Sequence, residues 1–351
     1  MVPGLGEYIS IALDGAGRVH LTYRDRATDG LGYASCAAAC DDPGNWEQSV
    51  VELGGNTGFA TSLQVEADGR LHVVYTDFAL RNLKYAPCAA SCCGPANWTI
   101  VTIDQTTSFT NSLIRDAAGR LHVAYELAQF SQPSYLGYAT CSADCTTSAG
   151  WQTTTVDPED AGLIAAALAL DGAGRLHASY VHRPLGAGRG SLRYATCADS
   201  CAEPANWTLA TVDGSGEVQP YTSIATPDGR VHVAFISQDP GRLRYASCST
   251  ECGSLASWTA IPIDPATVVL NDVHVRAGPD GRIHLVYSDD DAVDFKYATC
   301  VADCASPASW EFTTLASEGN VGTSSALLID RAGGVHIAYR DASNGSVNYI
   351  E

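Results

Sequence analysis

Short runs of apolar and polar residues alternate along this chain, separated by turn residues, and the same order of runs returns seven times. The second copy is the clearest. Thr61-Ser62-Leu63-Gln64-Val65 alternates as a half-buried strand does. Ala67-Asp68-Gly69 follows, and Asp-Gly between two such runs is a hairpin signal. Leu71 to Tyr75 is β-branched and aromatic, the composition of a second strand. A polar loop from Thr76 to Asn82 leads to a third strand, Leu83 to Ala86. A loop with two cysteines, Gly94 and Pro95 comes next, and a fourth strand is predicted from Trp98 through Ile103. No stretch of useful length carries a helical period.

The anchor of each copy is Gly-Arg-(Leu/Val/Ile)-His, without its arginine in the last. The histidines are His20, His72, His122, His177, His232, His284 and His336, at intervals of 52, 50, 55, 55, 52 and 52 residues. A fixed period near this length, with four short strands per period, predicts an all-β fold, a seven-bladed β-propeller of four-stranded antiparallel blades. The blades run approximately over 7–53, 60–104, 110–157, 164–213, 220–264, 271–316 and 323–351, in one domain spanning 1–351. A lone blade would expose both faces of its sheet, whereas stacked blades cover each other. The recurring tyrosines, such as Tyr85 and Tyr138, and tryptophans, such as Trp98 and Trp151, are expected between blades. The last copy stops after its third strand, at Val347-Asn348-Tyr349. Residues 1–6 look too short and too rich in Gly and Pro to supply the missing strand, so the last blade is expected to lack its fourth.

Composition changes this picture little. Net charge is −19, with 17% charged residues, which argues against a nucleic-acid partner because such binding needs clustered Lys and Arg. No apolar run approaches the ~20 residues of a membrane helix. No signal peptide is visible, and the chain enters a strand almost at once, as a mature fragment would. Twelve of the 13 cysteines form six Cys-x-x-x-Cys pairs: Cys36/Cys40, Cys88/Cys92, Cys141/Cys145, Cys197/Cys201, Cys248/Cys252 and Cys300/Cys304. Isolated pairs favour disulfides over zinc, which wants four ligands, and so predict an oxidising, extracellular setting. Cys93 is left over and is expected as a buried free thiol.

Asp14-Gly15-Ala16-Gly17-Arg18 and its copies resemble the hairpin of bacterial propeller repeats in the broad Asp-box or sialidase-like group, although the full Ser-x-Asp-x-Gly-x-Thr-Trp form is absent. Tyr-Ala-Thr-Cys-x-x-x-Cys followed by Trp resembles secreted bacterial propeller repeats. Propellers host hydrolases, lectins and scaffolds, so the resemblance implies a fold and leaves function open. A sialidase would need three arginines around a carboxylate and a tyrosine nucleophile with its glutamate. The sequence offers individual residues and no convincing set, so enzyme activity is not the favoured reading.

Candidate chemistry therefore lies where the repeats differ. The repeat histidines themselves are expected to be packed, with a ring nitrogen bonded to a neighbouring hydroxyl or backbone group. Ten residues before each stand Ser10, Ser62, Ser112, Ala167, Thr222, His274 and Ala326, on strands expected beside the central channel, so His274 brings a titratable ring there. His182-Arg183 opens the longest loop of its kind. Arg24 with Asp25 and Arg340 with Asp341 occupy matching places in the first and last copies, and are expected as a charged cluster where the ring closes. Loops of one face collect acids, among them Asp77, Asp104, Asp157, Asp213, Asp239, Asp264 and Asp272. Asp289-Asp290-Asp291 is the best local calcium candidate, though its spacing is not that of an EF-hand loop. The leading expectation is a secreted recognition or adhesion module that binds carbohydrate or a protein partner on the loop face. The alternatives are a subunit of an extracellular assembly, completed by strand donation at the last blade, and a sialidase-like glycoside hydrolase.

Overall fold

The computed structural model describes residues 2–3, 6–89, 91–128, 133–161, 163–187, 189–237, 242–269 and 271–351, with backbone alone at 2, 3, 160, 163, 164 and 228. Each repeat folds as the alternation predicts. In the second, strands Phe59–Val65, Leu71–Asp77, Asn82–Cys88 and Val101–Asp104 pair antiparallel in chain order. The fourth starts later than expected: Trp98 makes only an isolated bridge to Cys88. The hairpin between the first two strands needs a left-handed residue, and a glycine supplies it in every copy, from Gly17 (φ 81) and Gly69 (φ 86) to Gly333 (φ 91). Asp14 caps this turn by accepting from the backbone N–H groups of Ala16 and Arg18 at 2.9 Å each.

The strands form five four-stranded sheets and one seven-stranded sheet. The larger sheet arises because Thr208–Ala225 is a single 18-residue strand. Its first part pairs with Gly190–Cys197 as the outer strand of the fourth repeat, and its last part pairs with Val231–Ser237 as the inner strand of the fifth.

Hydrophobic residues collect between successive repeats. One cluster joins Leu31, Tyr33 and Val51 of the first repeat to Leu63, Val73 and Tyr75 of the second. Another joins Ile9, Ile11 and Leu21 of the first to Ala326, Ala338 and Val347 of the last, so the ring closes. At the outer edge a tryptophan of one repeat meets the tyrosine of the repeat before it edge-on: Trp98 and Tyr33 at 5.5 Å, Trp151 and Tyr85 at 5.1 Å, and across the closure Trp46 and Tyr349 at 5.8 Å. Each such pair is worth about 0.5–1.5 kcal/mol beyond its buried area.

The six cysteine pairs close as disulfides, Cys36–Cys40, Cys88–Cys92, Cys141–Cys145, Cys197–Cys201, Cys248–Cys252 and Cys300–Cys304. In each, the first cysteine ends a third strand and the second lies in the loop beyond it. That second cysteine turns its backbone carbonyl towards the indole N–H of the repeat tryptophan. Trp46 donates to Cys40 at 2.9 Å, Trp98 to Cys92 at 2.9 Å, and Trp151 to Cys145 at 3.0 Å. Trp207 donates to Cys201 at 2.8 Å, Trp258 to Cys252 at 2.9 Å, and Trp310 to Cys304 at 3.0 Å.

Two expectations change. The last repeat does acquire a fourth strand: Val2–Pro3 pairs with Val347 and Ser346. Pro3 is tolerated there because the strand lies on the sheet edge, where its missing N–H breaks no ladder. Cys93 is free but exposed, its thiol donating to Glu47 at 3.3 Å, because closing Cys88–Cys92 leaves the next residue on the loop surface.

Candidate functional site: the mouth of the central channel

The inner strands converge on the ring axis but lie too far apart there to pair backbone to backbone. Side chains bridge them instead. Ser10 accepts from the N–H of Leu63 at 3.0 Å, Ser62 from Leu113 at 2.9 Å and Ser112 from Leu168 at 3.0 Å. Ser324 closes the circle by accepting from Ile9 at 3.3 Å. These strands enclose a channel of 900 Å³ whose walls include all seven residues found ten places before the repeat histidines, His274 among them.

Two places further back along each inner strand is the channel mouth. Tyr8, Ala60 and Asp272 occupy this position in their repeats, and all three adopt left-handed backbone, at φ 52, 49 and 48. The register shifts beside Tyr8 and Ala60 mark bulges, which bend a strand and re-aim its side chains. A bulky residue held there is the kind of local cost found at functional positions. Tyr8 begins a row of rings on this face: Tyr8 to Phe59 at 5.2 Å, Phe59 to Phe78 at 4.3 Å, and Phe78 to Phe109 at 4.7 Å. Phe109 lines the channel and is 47% exposed. The Arg24 guanidinium lies 4.3 Å over the Phe59 ring.

Arg24 and Arg340 do meet at the closure, but not through Asp25 and Asp341. Both converge on Glu7, at 3.3 and 3.2 Å, with Arg26 at 2.9 Å. Asp25 caps its own turn through Ala27 and Thr28, and Asp341 does so through Ser343 and Asn344. This arginine trio therefore surrounds the protein's own carboxylate. Burial, then the Glu7 charge, push the Tyr8 phenol above its ordinary pKa, away from what a tyrosine nucleophile requires.

Across the mouth, His274 Nε2 lies 3.0 Å from Asp272 Oδ1, but off the N–H direction, so the contact is electrostatic and the nitrogen has no hydrogen-bond partner. Asp272 also accepts from the backbone N–H of Ser325. Asn111, on the channel wall, keeps both amide atoms buried without a partner. Tyr221 donates to Asn271 at 3.3 Å. His182 is buried with an unpartnered Nε2, and Arg183 follows it on the same strand. No hydrogen bond or ion pair among the described residues joins either to the closure cluster.

Most of the acidic rim has a structural task. Asp104, Asp157 and Asp264 accept from the hydroxyls of Tyr125, Tyr180 and Tyr287 in the next repeat, at 2.7, 2.8 and 2.7 Å. Burial raises the Asp157 carboxyl, but Tyr180, the Glu159 N–H and Arg193 together hold it below the usual carboxylate range. Asp77 pairs with Lys84 at 2.7 Å and Asp213 with Arg244 at 3.0 Å. Asp289 pairs with Lys296 at 2.8 Å, Asp290 accepts from Asn271 at 2.9 Å, and Asp291 is exposed. Among the described residues no three acidic, histidine or cysteine side chains are grouped to hold a metal ion. Asp239 lies outside the described residues.

The paired cysteines belong to the frame and not to this site. Cys40, Cys145, Cys252 and Cys304, like Cys92 and Cys201, lie in the outer loops, bonded to partners at the ends of the third strands, and no cysteine is among the residues of the channel wall. With both sulfurs of each pair bonded to each other, neither is a thiolate free for a metal or a substrate.

Glu7, Arg26, Tyr8, Phe59, Phe78 and Phe109 were not singled out by the sequence. The signal was available: aromatic or charged residues stand at some inner-strand starts where other copies carry Ala, Thr, Pro or Ser.

No protein-family model matches the chain, and no curated protein matches it. Solved structures do. An α-L-arabinanase of Penicillium chrysogenum, complexed with arabinobiose, is 13% identical at a TM-score of 0.57, over 84% of this chain and 93% of that one. The polysaccharide lyase Uly1 is 10% identical at 0.59, over 97% and 88%. The hydrazine synthase of Kuenenia stuttgartiensis is 9% identical at 0.64, over 99% and 96%. At such identities the likeness speaks to fold alone, and the fold it identifies is the β-propeller.

Proposed function

We propose that the protein is a seven-bladed propeller acting outside the cell as a carbohydrate-recognition module, with its site at the channel mouth. The observation that carries this reading is the row Tyr8, Phe59, Phe78 and Phe109, ending in an exposed ring beside Asn111 on the channel wall. Aromatic faces take the apolar faces of sugar rings, and nearby amides and hydroxyls take their hydroxyl groups. Six disulfides support an oxidising compartment. Among the described residues no helix is long and apolar enough to cross a membrane. Two of the similar folds, the arabinanase and the polysaccharide lyase, are by name active on polysaccharides, which agrees with this reading. The hydrolase alternative is weaker, because a substrate carboxylate would have to displace Glu7 from its three arginines.

A glycan array with and without calcium tests the reading. Wild-type protein binds a defined set of glycans, and Phe109→Ala weakens that binding about ten-fold or more while leaving the melting temperature nearly unchanged. An array with no bound glycan, or binding indifferent to Phe109→Ala, overturns it. The calcium arm decides whether the Asp289–Asp291 loop takes part.

A second reading, assembly through the last repeat, rests on one feature. Val2–Pro3 covers only Ser346 and Val347 of the strand Ser346–Ile350, and Tyr297 has no tryptophan against it among the described residues, unlike the other repeat tyrosines. Sedimentation showing a concentration-independent monomer would remove it.

A further inference from the structure

Most cations of this protein that are partly shielded from solvent meet a carboxylate; Arg183, Arg242 and Arg276 meet none among the described residues, and of these three only Arg276 lines the channel. Lys84 has Glu52 and Asp77, Arg193 has Asp157 and Glu159, Lys296 has Asp289, and Arg115 has Glu66. Arg276 is different. It stands on the inner strand Val273–Ala277 and lines the channel two residues beyond His274, about 7 Å deeper at strand rise. Its Nη1 donates to the Val275 carbonyl at 2.8 Å and reaches the Ser223 hydroxyl at 3.5 Å. No carboxylate lies within ion-pair distance of it among the described residues. The acids that share the channel wall are engaged elsewhere. Glu7 is held by three arginines, Asp272 by Ser325 and His274, and Asp330 by its own turn and His336.

The other copies place Ala12, Gln64, Ile114, Ala169, Ile224 and Leu328 at this point, so the ring does not need a cation there. Arg276 is partly exposed as a residue and lines the channel, but protein surrounds its guanidinium, and this desolvation pulls its pKa below the ordinary arginine value. Arginine stays charged regardless, and its two neutral partners do not balance that charge, so an anion entering the channel would offset the remaining cost of shielding it. Its planar fork suits two oxygens of one oxyanion.

Resting on the carbohydrate reading above, we propose that the channel is the subsite for an oxyanion substituent on the bound sugar, a carboxylate or sulfate ester, taken up by Arg276. The 900 Å³ channel has room for a sugar unit below the aromatic row. The neutral part of the ligand lies on Tyr8 and Phe109, and its charged substituent points down the axis.

The test uses matched glycans that differ only in a uronate against its methyl ester, or a sulfated against an unsulfated hydroxyl, on wild type, Arg276→Gln and Arg276→Lys. Wild type is expected to prefer one class of charged member about ten-fold or more, which names the oxyanion. Arg276→Gln abolishes the preference but retains binding of the neutral member, and Arg276→Lys keeps part of the preference. Equal binding of charged and neutral members by wild type, or a preference that survives Arg276→Gln, overturns the inference while leaving the carbohydrate reading intact. Absence of all glycan binding defeats that reading instead. The anion site is then judged by melting each protein in sodium sulfate. The general cosolvent effect is common to both, so extra stabilisation of wild type over Arg276→Gln upholds an anion site, and equal stabilisation refutes it.

Discussion

The repeat histidine shows how one residue type ties a blade together. His72 accepts from the Tyr85 hydroxyl through Nδ1 at 2.6 Å, and Nε2 meets Glu66 at 2.9 Å. A carboxylate only accepts, so the neutral ring carries its proton on Nε2 and the tyrosine donates to Nδ1. Among the described residues His232 has no acid beside it. Burial, then the Arg230 charge, push its pKa down from 6.5 to about 4. The unfolded imidazole titrates near 6.5, so between those values the unfolded chain binds more protons. Stability is therefore fully present above 6.5 and falls as pH drops towards 4. The loss from this one group is on the order of 3 kcal/mol at pH 4. The pKa values of His20, His72, His122, His177 and His284 are depressed in the same direction, chiefly by burial. Melting temperature is expected to fall steadily between pH 7 and pH 4.5, and less steeply in His232→Gln. A variant with the wild-type slope would show that His232 does not supply it.

At the scale of the element, the cysteine loop and its tryptophan form one device. The disulfide holds the loop, the loop aims a carbonyl, and the indole that takes it packs against the neighbouring repeat. Trp207 donates to Cys201 and lies 5.3 Å from Tyr138. Trp207→Ala loses the ring and strands a buried carbonyl, and is expected to cost about 3–5 kcal/mol. Replacing Cys197 and Cys201 by serine opens only a very short loop and is expected to cost about 2 kcal/mol. Urea unfolding of the two variants checks the order, and the reverse order would make the disulfide the main support. These elements were legible in the sequence because Tyr, Cys and Trp recur at fixed spacings from one another in the first six repeats. The channel mouth was legible only in part. The offset of ten located the wall that carries His274. Phe59 and Phe109 share one position, thirteen before their repeat histidines, but Phe78 comes from a loop after a second strand, so the period alone does not bring the row together. The partners of Glu7 were hidden for a related reason: Arg24 and Arg340 lie on strands of the first and last repeats, and Arg26 sits in a turn whose composition only signalled polarity.

The whole molecule is a closed circle whose fastening differs from its other joints. Where the first and last repeats meet, a two-residue strand, the Ser324 bridge, the Trp46–Tyr349 contact and the Glu7 cluster share the task. Glu7→Gln leaves Arg24, Arg26 and Arg340 facing one another without their common counter-charge. Arg24 and Arg340 are largely shielded, so a loss of roughly 3 kcal/mol is expected. Added salt should restore part of it by screening the repulsion. Thermal melts of the variant across a salt series check this, and a salt-independent deficit would point to lost packing instead.

The opposite side of the circle holds Thr208–Ala225, a single strand that runs from the fourth repeat into the fifth, with a register shift between Val218 and Thr222 where it crosses. Two sheets that share a strand are tied together by it, even where its pairing shifts. Under heat or tension, amides of the fourth and fifth repeats would surrender their protons to exchange as one block, and after those at the fastening. The order in which the circle comes undone is thus expected to be set by that one shared strand.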